Sequence, residues 1–153
     1  MPGRVNPIPT EYTAVTPYLM VADVPAQLKF LIDVFGAIES NRHDTADGTI
    51  MHTQVRIDGA AIMMGSAQGP WKPMPASLYV YVPDCDATYN KALAAGATSV
   101  MPPTDMFYGD RHGGVSDANG NIWWIASRIE IVSEAESLKR AREFSAKMAK
   151  KSC

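Results

Sequence analysis

The sequence predicts an α+β fold built from two tandem βαβββ modules and a C-terminal helix. Three observations carry that prediction. The helix-stop pairs Gly36-Ala37 and Gly96-Ala97 lie 60 residues apart and the turn glycines Gly59 and Gly120 lie 61 apart, so two landmarks repeat at one spacing, as in an internal duplication. Each repeat opens on a short alternating run, passes through a helical run and returns to alternation. Asp47-Gly48 and Asp58-Gly59, both strong hairpin pairs, separate the later strands of the first repeat.

Residues 1–12, MPGRVNPIPTEY, hold three prolines and no periodicity, and read as an extended arm free to pack on a partner. Module 1 covers 13–64. From Ala14 the positions Val15, Pro17, Leu19 and Val21 alternate with Thr16, Tyr18 and Met20, which reads as a strand. Asp23 precedes a helical run from Val24 to Phe35 with Leu28, Leu31, Ile32 and Phe35 on its stripe, and Gly36 stops it. Strands follow over Ala37 to Asp44, Thr49 to Ile57 and Ala60 to Met64. Residues 65–76, with Gly69, Pro70, Pro73 and Pro75, read as a linker.

Module 2 covers 77–128. It holds a strand over Leu78 to Val82, a helix over Asp84 to Ala95, and strands over Thr98 to Met101, Gly113 to Ser116 and Ile122 to Ala126, the last two joined by Asp117-Ala118-Asn119-Gly120-Asn121. Over 129–153, Ser133 and Glu136 form a capping-box pattern ahead of a helix whose stripe is Leu138, Ala141, Ser145 and Met148. Lys147, Lys150 and Lys151 complement the negative end of its dipole.

At 153 residues, 46% hydrophobic and 20% charged, the chain reads as one soluble domain. Lys plus Arg is 14 against 16 Asp plus Glu, a net charge of -2, which offers no electrostatic footprint for nucleic acid or a membrane surface. Apolar stretches such as Ala60 to Met64 are too short to span a bilayer, and the proline-rich start does not read as a secretion signal. Cys153 is the last residue and Cys85 opens a helix, so no structural disulfide is expected and a reducing cytoplasmic setting fits. Cys85 reads as a packed thiol without a base beside it. Gly113-Gly114 lacks the remainder of a phosphate-binding loop, and neither a serine nucleophile elbow nor a glycine-rich dinucleotide turn is present.

An Asp after the first strand, the helix ends Phe35-Gly36-Ala37 and Ala95-Gly96-Ala97, and the closing turn Asp117, Gly120, Asn121 together resemble the vicinal oxygen chelate superfamily, also called glyoxalase/bleomycin-resistance/dioxygenase, from about Thr13 to Arg128. Ile50-Met51-His52, the run Thr104-Asp105-Met106-Phe107-Tyr108-Gly109-Asp110-Arg111, and the helical tail after Ile131 look like the phosphonate-operon-B-type branch. The resemblance implies a cupped mixed sheet in a homodimer, with one divalent metal held in the enzymes by His, Glu or Gln from four strand positions. Counting from Asp23, Asp84, Gly59 and Gly120 places Thr16, Met63, Ser77 and Trp124 at those positions. None is a usual ligand for such a cation. No cofactor is therefore expected, and a divalent metal only at an atypical site.

Alternate residues share a strand face. The face with Thr16, Met63, Ser77 and Trp124 also carries Tyr18, Met20, Tyr79, Tyr81, Ile122 and Ala126, while Leu19, Val21, Ile62, Met64, Leu78, Val80, Val82, Trp123 and Ile125 form an apolar face for the helices. His52, Gln54 and Arg56 belong on the cup side, and their burial needs a water or ligand partner. The expected function is metal-free binding of an apolar or aromatic small molecule by Tyr18, Gln54, Arg56, Met63, Ser77, Tyr79, Tyr81, Tyr108, Arg111 and Trp124. The alternative is a lyase, isomerase or dioxygenase-type enzyme with His52 as base or atypical metal ligand. Arg111 reads either as a fork for an anionic or carbonyl group or as the partner of Asp110 in pinning a glycine-rich loop. His112 reads as a surface loop histidine, with a metal role beside Asp110 and His52 as the alternative, and His43 has no partner that the sequence identifies.

Overall fold

The computed structural model of the chain describes residues 5–152, so the start of the arm and the reading of Cys153 lie outside the described residues. It divides into two compact units, one running up to Ala76 and including Asp117–Asn121, the other made of Ser77–Ser116 and the chain from Ile122 onward.

The first unit holds β1 (Tyr18–Val21), α1 (Val24–Phe35), β2 (Ile38–Asp44), β3 (Ile50–Ile57) and β4 (Ala60–Ser66). Its sheet has the order β1-β4-β3-β2, with β1 parallel to β4 and the other pairs antiparallel. The strand expected from Ala14 begins only at Tyr18. Pro17 has no N–H to give the ladder, and its carbonyl, which accepts from the Met63 N–H at 2.9 Å, is the outermost contact. Asp23 caps α1 through Oδ1, which accepts from the Ala26 N–H at 2.9 Å. The helix buries Val24, Gln27, Leu28, Phe30, Leu31 and Val34, and the expected stripe is rotated so that Ile32 stays 40% exposed. Leu19, Val21, Val55, Ile62 and Met64 are buried, as strand parity requires.

Within this unit the buried Gln27 side chain donates to Asp117 Oδ2 at 2.8 Å and accepts from Asn121 Nδ2 at 2.8 Å. Asn121 Oδ1 takes the Ala76 N–H at 2.9 Å. The Asp-x-x-Gly-Asn turn is thus a core element whose polar groups satisfy one another.

The second unit holds β5 (Ser77–Tyr81), α2 (Cys85–Ala94), β6 (Thr98–Asp105), β7 (Asp110–Ser116), β8 (Ile122–Arg128) and α3 (Glu134–Lys151), with sheet order β5-β8-β7-β6. The second strand of this module, expected to end at Met101, continues through Pro102 and Pro103. It is an edge strand, where a missing N–H costs no ladder bond, and its register slips between Met101 and Thr104. Its partner starts at Asp110, so the Thr104–Arg111 run is a hairpin end and not a free loop. Gly109 sits at its turn with φ 97°, and a Cβ there would lie 2.5 Å from the Glu130 carbonyl oxygen. That close approach lets Gly109 O receive the N–H groups of Ile129 and Glu130.

Val115, Trp123 and Ile125 form the apolar face beneath α2, whereas Leu78, Val80 and Val82 are only half-buried. Cys85 is buried and donates to the Ile125 carbonyl at 3.2 Å; burial pushes its thiol pKa up, which suits a packed group. Ser133 caps α3, but Glu136 turns to Arg140 at 2.8 Å instead of closing a capping box. No residue of α3 is buried; Arg140 ties it to Glu130 at 2.7 and 2.8 Å, and Phe144 stacks on Phe107 with centroids 5.4 Å apart. Among the described residues no helix is long and apolar enough to cross a membrane.

Candidate functional site

In the second unit β5 contributes Tyr79 and Tyr81, β7 contributes Asp110 and His112, β8 contributes Trp124 and the β6–β7 turn contributes Tyr108. Period-two alternation puts Asp110, His112 and Gly114 on one face of β7 and Arg111, Gly113 and Val115 on the other. Both β5 phenols donate to Asp110 Oδ2, Tyr79 at 3.0 Å and Tyr81 at 2.8 Å. The Tyr79 and Tyr108 hydroxyls lie 3.0 and 2.9 Å from His112 Nδ1. Since the one Tyr79 proton goes to Asp110, Nδ1 meets Tyr79 only as a donor, or else accepts from Tyr108.

The cluster is held from below. Trp124 lies across Gly114, where a Cβ would come within 2.5 Å of the indole, and its Nε1 donates to Ser77 Oγ at 3.0 Å. The His112 ring packs 5.7 Å from Trp124 and 5.5 Å from Tyr79, centroid to centroid. Asp110 and His112 are 5% and 8% exposed, but the rings of Tyr79 and Tyr81 keep 42% and 62% of their surface. Burial lowers the His112 pKa against the opposing pull of Asp110, so the imidazole is neutral at pH 7. Burial first, and then the bonds to Tyr108 and Asp110, raise the Tyr79 phenol well above its ordinary value; the bond to Asp110 chiefly raises Tyr81. A concavity of about 470 Å³ opens beside the cluster, lined by Tyr81, Tyr108, Asp110 and Arg128.

Arg111 is not at this concavity. It faces α2, where Nε and Nη2 bond Asp86 at 2.6 and 2.9 Å and Nη1 bonds Asp105 at 2.8 Å. The expected fork is spent on two carboxylates, and the Asp110–Arg111 pair does not form because neighbours on a strand point to opposite faces. His112, read as a surface histidine, is buried in a strand. Asp110, His112 and Arg128 are the members of this constellation that the sequence reading left out or misplaced.

In the first unit Tyr18, His52, Gln54, Arg56 and Met63 occupy one sheet face, Tyr18 pairing with Met63 and Gln54 with Met63 across the ladders. The argument that Gln54 and Arg56 need an outside partner fails. Gln54 accepts from the Tyr12 hydroxyl and donates to Ser40 Oγ at 3.0 Å, and Arg56 bonds the carbonyls of Glu11 and of Gly59, the latter at 2.7 Å. The arm residues that show no periodicity satisfy the polar row. A separate groove of about 660 Å³ on the helix side of this unit, lined by Leu28, Ile32, Ile50 and their neighbours, contains none of these side chains.

The donor set at the four metal positions does not fit a divalent cation. Ser77 is taken by Trp124, the Thr16 hydroxyl donates to the Thr13 carbonyl at 3.0 Å, and Met63 and Trp124 are not hard donors.

Comparison with known proteins agrees with this architecture. An uncharacterized protein of Mycobacterium bovis is 31% identical over 134 residues, covering 80% of this chain and 88% of its own length. The crystal structure of TioX from Micromonospora sp. ML1 is similar with a TM-score of 0.66 and 26% identity, covering 76% of this chain and 99% of that one. A Bacillus cereus PhnB protein described as a putative 3-demethylubiquinone-9 3-methyltransferase shares the fold at 20% identity and a TM-score of 0.61, covering 75% and 99%. The profile of the Glyoxalase/Bleomycin resistance protein/Dioxygenase superfamily matches residues 11–125, and with two mixed four-stranded sheets of the corresponding order the chain belongs to that superfamily.

Proposed function

We propose that the protein binds an apolar or aromatic small molecule on the Tyr79, Tyr81, Tyr108 and Trp124 face of the second unit, without a metal at the superfamily's usual positions. One observation carries this reading: two adjacent, solvent-facing phenol rings have their hydroxyls fixed on a buried carboxylate. Fixed aromatic faces at a concavity stack on a planar ligand at little entropic cost, because their rotamers are already chosen. Ser77 completes this lining through its bond to Trp124, and Arg111 braces the same unit through Asp86 and Asp105. Tyr18 and Met63, with Gln54 and Arg56 as their framework, are proposed contacts on the sheet of the first unit taken by itself. The setting is cytoplasmic, the assembly a homodimer, and nucleic acid and membrane are not partners. The Thr104–Arg111 hairpin and the helical tail support placement in the phosphonate-operon-B-type branch.

The test is titration of tag-free protein with a panel of planar aromatic compounds, followed by tryptophan fluorescence and calorimetry. Tyr81→Ala and Trp124→Ala are expected to weaken binding of any hit about tenfold or more, since a stacked aromatic pair contributes ~0.5–1.5 kcal/mol beyond its buried area. His52→Ala is expected to leave it intact. A hit that ignores both aromatic substitutions overturns the reading.

A second reading, an enzyme of lyase, isomerase or dioxygenase type, is favoured by one feature. The neutral His112 imidazole is linked through Tyr79 to a carboxylate, an arrangement suited to taking up a proton. In that case His112 joins or replaces His52 as the base, and turnover falls with His112→Gln while binding survives.

A further inference from the structure

We propose that His43 and His52 form a cross-strand imidazole pair that binds one borderline divalent cation, Zn²⁺, Ni²⁺ or Cu²⁺, on the sheet of the first unit. The site goes beyond the ligand reading above and does not depend on it, since every residue involved belongs to β1–β4.

The backbone is arranged for this pair. Pairing of β2 with β3 runs Ile38 with Arg56, Glu39 with Val55 and Ser40 with Gln54, and that register continued would set Arg42 opposite His52. A bulge intervenes, with Asn41 at φ 50°, and His43 faces His52 instead. Bulges re-aim side chains in this way, beside functional groups in particular. Arg42 is turned away to Asp44 at 2.8 Å and Glu39 at 3.7 Å.

The two rings lie 5.9 Å apart, centroid to centroid. A metal ~2.1 Å from each ring nitrogen sets two imidazole centres roughly 5 Å apart, so about an ångström of side-chain movement closes the pair. His43 is exposed and free to make it.

His52 has a support of its own. The Tyr18 hydroxyl lies 3.4 Å from its Nδ1, and the Tyr18 ring reaches there across Gly65, where any Cβ would collide with that hydroxyl. Such a partner on one ring nitrogen orients the other toward a metal. Imidazole nitrogens select Zn²⁺, Ni²⁺ and Cu²⁺ over Mg²⁺ and Ca²⁺. Among the described residues no group of three His, Cys, Asp or Glu converges, so water completes the coordination and the ion exchanges readily.

The experiment titrates EDTA-stripped, tag-free full-length protein with Ni²⁺ and Zn²⁺ by calorimetry, in a Cys153→Ser background that removes a competing thiol. One equivalent per chain is expected, absent in His43→Ala and in His52→Ala. Tyr18→Phe should keep the stoichiometry and weaken affinity ~10-fold, the usual loss when a partner behind a ligand is removed. Electron paramagnetic resonance of the Cu²⁺ adduct should report two nitrogen donors. His43→Ala alters an exposed side chain and carries the test if His52→Ala fails to fold. Binding that survives in His43→Ala, absence of Ni²⁺ and Zn²⁺ binding by the parent, or equal binding of Mg²⁺ would overturn the proposal.

Discussion

Replacing Asp110 with Asn removes a charge while keeping the shape, and isolates what the carboxylate does for the two phenols. In the native protein Oδ2 accepts from Tyr79 at 3.0 Å and from Tyr81 at 2.8 Å. A hydrogen bond to a charged acceptor contributes ~1.5–3 kcal/mol and a neutral one ~0.5–1.5, so each loses roughly 1 kcal/mol of charge assistance. Tyr81 is 62% exposed and recovers part of its loss by bonding water. The net cost is then about 1–2 kcal/mol, a fall in Tm of roughly 2–8 °C for a chain of this size. Alkaline titration followed by phenolate absorbance gives the more specific readout. The Asp110 bond is the largest cause of the raised Tyr81 pKa and a lesser one for Tyr79, after burial and the Tyr108 bond. In Asp110→Asn the Tyr81 phenol should move back toward the ordinary value near ~10 while Tyr79 moves less. Raised phenols also add stability that is present below pH ~10 and lost as pH climbs through their folded values, so the variant should show a shallower alkaline decline. Superimposable titrations of variant and parent would refute the assignment of these phenols to the carboxylate.

Gly114→Ala drives a methyl group against the Trp124 indole, 2.5 Å from the nearest ring carbon, and should shift both the tryptophan emission and the affinity of any aromatic ligand while secondary structure by circular dichroism stays intact. Asn121→Ala removes the acceptor of the Ala76 N–H and the shorter of two donors to the buried Gln27 carbonyl, which keeps Asn119 at 3.2 Å, and should cost ~1–3 kcal/mol in denaturant unfolding. On the acid side, the lowered pKa values of His112 and His52, set first by burial in each case, mean that the unfolded chain binds more protons. Stability should therefore fall as pH drops below ~6.5, and His112→Gln should remove part of that slope.

Period-two alternation made the aromatic row legible: Tyr79, Tyr81 and Trp124 fall on one face by counting alone, and Leu19, Ile62, Trp123 and Ile125 on the other. Parity could be used only where a strand was recognised. Pro102, Pro103 and Gly109 give β6 and the start of β7 the composition of a loop, so Asp110 and His112, although two residues apart and on one face, read as surface groups and not as buried partners of the tyrosine row. The same gap misplaced Arg111, one residue further along and on the opposite face. Gln54 and Arg56 were placed on the right face, but their partners Tyr12 and Glu11 belong to a segment whose contacts are tertiary and follow no period. His43 depends on a bulge at Asn41, a local backbone choice that shifts parity by one residue without a mark in hydrophobic pattern.

The duplication reaches the level of single side-chain contacts, and its departures assign different chemistry to each unit. Tyr18 and Tyr79 are 61 residues apart and His52 and His112 are 60 apart, and in both units the phenol meets imidazole Nδ1, at 3.4 and 3.0 Å. The flanking ladder positions correspond as well, Gln54 opposite Met63 in the first unit and Gly114 opposite Trp124 in the second. The exchange of Gln for Gly matters, because only the glycine leaves room for an indole flat on the sheet. Beyond the imidazoles the units diverge again: His43 stands opposite His52, whereas Thr104 stands opposite His112. His112 Nδ1 has a second phenol in Tyr108, and its Tyr79 partner is anchored on Asp110, which commits that ring to a hydrogen-bonded aromatic platform. His52 has one weak phenol contact and an imidazole neighbour, which leaves a nitrogen for a ligand of another kind. One repeated tyrosine–histidine contact thus underlies both the proposed stacking face of one unit and the proposed cation site of the other, with the difference set by what the adjacent strand presents.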